Sequence, residues 1–275
     1  IAGKSSVEIV VNGIPTSASR EFFEKNKKQI EHYLEEGIPF LSLSKGIDPD
    51  TLELPDDFFF HHFPDYRDLF TFLSGPSFAR EIIQEQITLV SLAGRSRSTM
   101  MSVSKMLKTS YFKVFLTYDI KGLLLGGALK NVLAIATGIV EGLGHNYNTR
   151  AALITKGIEE MLRFGVVFNA RPETFYGLSG MGDLILTTTG HLSRNRQFGL
   201  DLVSDKGKTP QEILLHQRKV VEGYKTAKAV FLLAEKYHLR CRIFKGVYSV
   251  LYEGISAKDV IDHLMRTIDK TYLVT

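Results

Sequence analysis

The chain has 275 residues, an apolar share of 44% and a formal net charge of +4. This composition supports a sizeable core in one large or two modest domains. The small positive charge suits anionic small molecules, and no long basic run with interleaved aromatics points to nucleic acid. Cys241 is the sole cysteine, which excludes a disulfide framework and a thiolate zinc site and fits a reducing compartment. No HExxH-type spacing occurs, and the pair His61-His62 is not read as a metal site, so no metal is expected. Ile1 is not an initiator methionine, so a leader could precede it. Cytoplasm is the expected compartment, with a plastid or another organelle as the alternative.

In chain order, VEIVV (7–11) reads as a buried strand, broken by Gly13 and Pro15. Apolar spacing predicts one helix over 18–35, stopped by Gly37-Ile38-Pro39. PFLSLS (39–44) is a second strand, ending at Lys45-Gly46. The order strand, helix, strand predicts a parallel sheet with crossover helices. Residues 48–69 read as an irregular connection. FTFLS (70–74) is a third strand running into a Gly-Pro turn, with Ser77 expected to cap a helix through residue 84. ITLVSLAG (87–94), a helix at about 98–108 and FKVFLT (112–117) follow. Beyond Thr117 only helices are expected, at 120–142, 148–168, 193–203, 210–216, 223–238, 244–253 and 256–270. The expected class is therefore α/β: a parallel sheet over 1–117 followed by an all-α domain over 118–275.

The stretch GLLLGGALKNVLAIATGIV (122–140) is long enough for about five helical turns and apolar all round, so it should be buried. Lys130 sits at its centre. An ammonium there is costly unless it meets an opposite charge, loses its proton or faces a wet cleft. It is either an active-site lysine on a rigid core helix or a lysine whose head snorkels out. Gly126 and Gly127, one turn earlier, would let backbone or ligand approach that face. A membrane span is not expected, because a central lysine opposes it and no second such stretch exists.

Three further features carry chemistry. Strand ends of open parallel sheets bind ligands, and Lys45-Gly46 and Gly75-Pro76-Ser77 fall at such ends. SGMGDLILTTTGHLSRNRQFG (179–199) places Asp183 and Thr187 one turn apart, on one face if helical. Ser193 can cap a helix opening with Arg194, Asn195 and Arg196, a good anion pocket; the plainer alternative is a capped surface helix with two solvated arginines. Glu222 and Gly223 in VVEGYKTAKAV (220–230) form a loop before an amphipathic helix.

The motifs SLSKGID (42–48), LSGPSFARE (73–81), GGALKNVLAIATGI (126–139), NTRAALITKGIEEM (148–161), PETFYGLSGMGDLILT (172–187), LSRNRQFG (192–199) and VVEGYKTAKAV (220–230) together resemble the NAD-dependent glycerol-3-phosphate dehydrogenase family. They run in family order over more than three quarters of the chain. The resemblance implies part of a Rossmann domain (1–117) binding NAD and a helical substrate domain (118–275). It implies Lys130 as acid/base, with Lys45, Asn131, Asp183 and Thr187 at the reacting end. It implies Gly75, Ser77, Ser193, Arg194 and Asn195 near substrate. Lys45, Ala79, Arg194, Val220 and Glu222 are expected near the cofactor. The implied ligands are glycerol 3-phosphate and dihydroxyacetone phosphate, and a homodimer is expected. The family's opening strand and GxGxxG loop are missing from this sequence, so the alternative is a non-catalytic module that keeps the substrate half.

Overall fold

The computed structural model describes residues 7–205, 207–216 and 220–268. Its first part is a five-stranded sheet in the order β1 (Val10–Asn12), β2 (Phe40–Ser42), β3 (Phe70–Ser74), β4 (Thr88–Gly94), β5 (Phe112–Thr117). Helices α1 (Thr16–Lys25), α2 (Lys27–Glu35), α3 (Pro55–His62), α4 (Ala79–Ile83) and α5 (Arg97–Leu107) connect the strands. The pairs β1–β2, β2–β3 and β4–β5 are parallel, but β3–β4 is antiparallel, so the Rossmann-type sheet is mixed rather than all parallel. The β3–β4 connection, residues 75–87, holds only the five-residue α4. The register Asn12↔Ser42↔Phe72 aligns the carboxyl ends of β1, β2 and β3 along one edge.

Four local expectations need correction. The first strand is Val10–Asn12 and lies at the sheet edge, where it packs against one neighbour only, so Val11 is exposed and not buried. The 18–35 segment is two helices meeting at Asn26, whose φ/ψ of −111°/14° is non-helical. Residues 48–69 are not wholly irregular. Pro55 opens α3, where its missing N–H costs nothing, and the Asp57 carboxylate accepts from the Leu54 N–H at 3.2 Å. Phe59 of α3 then stacks on Phe70 of β3 at 5.1 Å and meets Phe40 of β2 at the same separation. A 3₁₀ turn, Pro64–Leu69, follows. Ser77 does not cap α4; its hydroxyl donates to the Gly75 carbonyl at 2.9 Å, and Phe78 occupies the cap position.

After Thr117 every described element is helical: α6 (Ile120–Gly142), α7 (Tyr147–Val167), α8 (Pro172–Tyr176), a π turn (Leu178–Gly182), α9 (Asp183–Thr189), α10 (Arg194–Ser204), α11 (Pro210–His216), α12 (Glu222–Lys236), α13 (Arg242–Tyr252) and α14 (Ala257–Ile268). Helix α6 is the axis of this part. Its residues from Gly122 to Val140 are all buried, and α7, α9, α10 and α12 pack around it. By length and composition α6 could cross a membrane, but protein encloses all of its apolar stretch. Asp119 anchors its start: one carboxylate oxygen accepts from the Gly122 N–H at 2.9 Å, the other from Arg171 N–H and Thr174 O–H. Residues 120–140 also pack against β3 and β4, so α6 joins the sheet to the helical part.

Candidate active site

Lys130 is on α6 with its residue 7% exposed, and its ammonium does not snorkel. It donates to Asp183 Oδ1 at 2.6 Å and to Thr187 Oγ1 at 2.8 Å. Asp183 and Thr187 stand one turn apart on α9, and the threonine hydroxyl donates back to the Asp183 carbonyl at 2.6 Å. The second Asp183 oxygen accepts from Lys45 Nζ at 3.0 Å. One carboxylate, 2% exposed, thus holds two ammonium groups, one from the sheet edge and one from the core helix. Lys45 Nζ also reaches the Gly75 carbonyl at 3.5 Å, at the end of β3.

The glycines of α6 make this approach possible. A Cβ on Gly126 would lie 2.5 Å from the Ser179 carbonyl oxygen, and one on Gly127 would lie 2.9 Å from Ser74 Oγ and 3.4 Å from Lys45 Cγ. Gly126 therefore lets the π turn before α9 reach the helix, and Gly127 lets the Lys45 stem cross it.

Electrostatics follow from this crowding. Burial pulls the Lys130 pKa down, Asp183 pushes it back up and the Lys45 charge lowers it again, leaving it at about 8. Burial alone would raise the Asp183 pKa, but the Lys130 and Lys45 ammonium groups outweigh it and hold it below the ordinary carboxylate value. Glu222, at the start of α12, is pushed up by burial against the opposing pull of Lys45, Lys130 and Arg194. Lys45, Lys130, Asp183 and Glu222 therefore lie close enough to shift one another's protonation.

Asn131 and Asn195 extend the site towards α12. Asn195 Oδ1 accepts from the Gly223 N–H at 2.9 Å, and Asn195 Nδ2 donates to Asn131 Oδ1 at 2.9 Å. Asn131 Nδ2 in turn faces the carbonyls of Gly127 at 3.3 Å and Lys45 at 3.4 Å. Ser193 is buried and caps α10, accepting from the Arg196 N–H at 3.2 Å. Arg194 is the exposed first residue of α10 and forms no ion pair with a described residue. Arg196, two positions on, points the opposite way. It is 4% exposed and clamps Glu141 of α6 through Nε at 3.0 Å and through Nη2, while Arg150 of α7 holds the same carboxylate at 3.0 Å. The reading of two solvated arginines therefore fails for Arg196. The unmatched Glu141 at the end of an apolar helix was the available signal.

A cavity of about 280 Å³ opens between the β1–α1 turn, the β2 end and the Val220–Thr226 segment. Thr16, Gly46, Ile47, Val221, Glu222 and Thr226 contribute to its walls. Thr16 Oγ1 is buried without a hydrogen-bond partner in the structure. The Thr16 oxygen is turned against Gly46, where an added Cβ would lie 2.7 Å from it, so the cavity presents apolar walls and the Glu222 carboxylate. The volume is near the lower end of the roughly 300–1,000 Å³ of small-ligand sites. Val220 lines the same cavity, half exposed. Ala79 is exposed at the start of α4 and is not among the cavity walls. Among the described residues, no group of three or more His, Cys, Asp or Glu could hold a metal ion.

Two sequence profiles match the chain: the NAD-dependent glycerol-3-phosphate dehydrogenase N-terminus over residues 2–100 and the C-terminus of the same family over residues 119–262. Glycerol-3-phosphate dehydrogenase [NAD(P)+] of Geobacter sp. (strain M21) is 44% identical over 245 residues, covering 86% of this chain and 72% of the relative. That of Syntrophotalea carbinolica is 41% identical over 266 residues, covering 96% and 77%. The crystal structure of glycerol-3-phosphate dehydrogenase from Coxiella burnetii superposes with a TM-score of 0.83 at 31% identity, covering 94% of this chain and 76% of that one.

Proposed function

The chain belongs to the NAD-dependent glycerol-3-phosphate dehydrogenase family, and from that premise we propose that it interconverts sn-glycerol 3-phosphate and dihydroxyacetone phosphate with NAD(H), in glycerol and glycerolipid metabolism. The observation that carries this reading is the buried Lys130–Asp183–Lys45 clasp. Oxidising a secondary alcohol needs a base at the hydroxyl; reducing the ketone needs an acid at the same oxygen. Lys130 fits both roles because its pKa, at about 8, lies close to neutral pH. An ammonium has three donors. Asp183 and Thr187 take two, so the third remains for the substrate oxygen.

The other residues orient and stabilise. Lys45, paired to the same carboxylate, brings a second positive charge to the oxygen as it becomes an alkoxide. Arg194 and the N-terminus of α10 offer a guanidinium and free N–H groups for the substrate phosphate, a non-reacting handle that orients the reacting carbon. Asn195 keeps one N–H for the same anion. Gly75 and Ser77 shape the sheet side of the site, while Val220 and Glu222 would lie against the cofactor. When bound, that cofactor supplies or accepts the hydride. NAD is the cofactor in this reading, and NADP is the competitor to measure against it.

The test is NADH oxidation with dihydroxyacetone phosphate, followed by Lys130→Ala. Unchanged turnover in that variant would sink the acid/base assignment. Binding of glycerol 3-phosphate with no binding of NADH would favour a module that keeps the substrate half alone. Sedimentation of the intact protein tests the homodimer that belongs to the same reading.

A further inference from the structure

Three backbone groups determine how the two site asparagines must point. The Gly223 N–H can only donate, so Asn195 turns its oxygen to it. The Asn195 amide nitrogen then has to face an acceptor, and it meets Asn131 Oδ1. That leaves the Asn131 nitrogen directed at the carbonyls of Lys45 and Gly127, which can only accept. The chain of bonds is directional and consistent at both ends, so neither amide can flip without setting like against like. Both Asn131 donors are consumed by protein. It has no N–H left for substrate, whereas Asn195 retains one.

Gly223 adds a second, independent observation. A Cβ there would lie 2.7 Å from the Asn131 carbonyl oxygen and 2.7 Å from Asn195 Oδ1. The loop before α12 is thus pressed directly against this pair. The same loop carries Val220, Val221 and Glu222 into the cavity described above.

We propose that the Asn131–Asn195 pair is a positioning relay that couples anion binding at the start of α10 to the Val220–Gly223 loop and to the Lys45 strand end. It rests on the reading of glycerol 3-phosphate as the ligand of that helix start. An anion taking the free Asn195 N–H fixes the amide plane. That firms the bond from Gly223 at one end and, through Asn131, the seat of Lys45 at the other. Linkage makes the effect reciprocal: whatever orders the loop also strengthens anion binding. Asn131 is in this account a positioning residue rather than a substrate ligand.

The experiment titrates the protein with glycerol 3-phosphate alone, by calorimetry, and follows amide hydrogen exchange over residues 220–226. Exchange there should slow by about fivefold or more at saturation. In Asn131→Ala the ligand should still bind, but the segment should cease to respond. Gly223→Ala, which pushes the loop off the pair, should give the same loss and serves if the first variant does not fold. Saturated protein with an unresponsive segment overturns the relay and leaves the proposed function standing. Full protection persisting in both variants also overturns it. If the unaltered protein binds no glycerol 3-phosphate, the relay and the functional reading fall together.

Discussion

Replacing Asp183 by Asn tests the centre of the site. The carboxylate is 2% exposed and accepts from Lys130 at 2.6 Å and from Lys45 at 3.0 Å. Asparagine keeps the shape but leaves two ammonium groups facing an amide. Removing one partner of a buried pair costs about 3–5 kcal/mol, because an uncompensated charge stays behind. Against a typical stability of roughly 5–15 kcal/mol that is severe. Urea unfolding at pH 7 should show this loss. The pH dependence identifies its origin. Lys130 already titrates in the folded protein at about 8, below an unfolded lysine. The unfolded state therefore binds more protons above that value, and stability rises with pH. Without Asp183 the Lys130 pKa falls further, and the gain starts at lower pH. The variant's deficit should thus narrow between pH 7 and pH 9.5. It should narrow also in acid, where protonation of Asp183 removes the advantage of the unaltered protein. A loss below about 1 kcal/mol at pH 7, or one independent of pH, would refute the clasp.

Oxidation of glycerol 3-phosphate should rise with pH through a midpoint of about 8, where Lys130 becomes neutral, and the reverse reaction should fall there. Lys130→Ala should cost both directions about a hundredfold or more at pH 8. Gly138→Ala should destabilise by about 1–3 kcal/mol, since its Cβ would meet the Arg196 carbonyl oxygen and Gly199 where α6 crosses α10; thermal unfolding reads it. Asp56 is buried beside Lys121, and burial pushes its carboxyl up to about 6, with Lys121 pulling back and Asp57 adding to the rise. Its contribution is complete below about pH 4 and is lost as pH passes 6. Asp56→Asn should therefore flatten the fall in stability between pH 4 and 6, by on the order of 3 kcal/mol. Denaturant midpoints across that range measure it.

The parts that could be read from sequence are those whose signal is local. Helix α6 announced itself because nineteen positions hold a single charge, and β5 because a short apolar run lies between turn residues. Helix α3 stayed hidden because Phe58-Phe59-Phe60 has no amphipathic period: Phe59 buries against the sheet, and helix propensity contributes little. The antiparallel β3–β4 pairing is a matter of strand direction, and no periodicity reports that.

The site divides along the same line. Lys130 stood out because an isolated ammonium in an apolar run is costly, but that cost left a paired lysine and a snorkelling one equally open. Its partner, Asp183, was placed beside it by the family motif and not by any local signal: the bonds to Asp183 bridge 53 positions from Lys130 and 138 from Lys45, and an aspartate after a glycine turn carries no mark of either. Arg194 and Arg196 show the limit most sharply. They share a motif, but residues two apart on a helix face opposite ways. One guanidinium is left open at the cleft, and the other is sunk against Glu141 to hold α10 on α6. The opening at Arg194 and the anchor at Arg196 divide one motif between two tasks: the first leaves the helix start accessible, and the second fastens α10 to the core helix that carries Lys130.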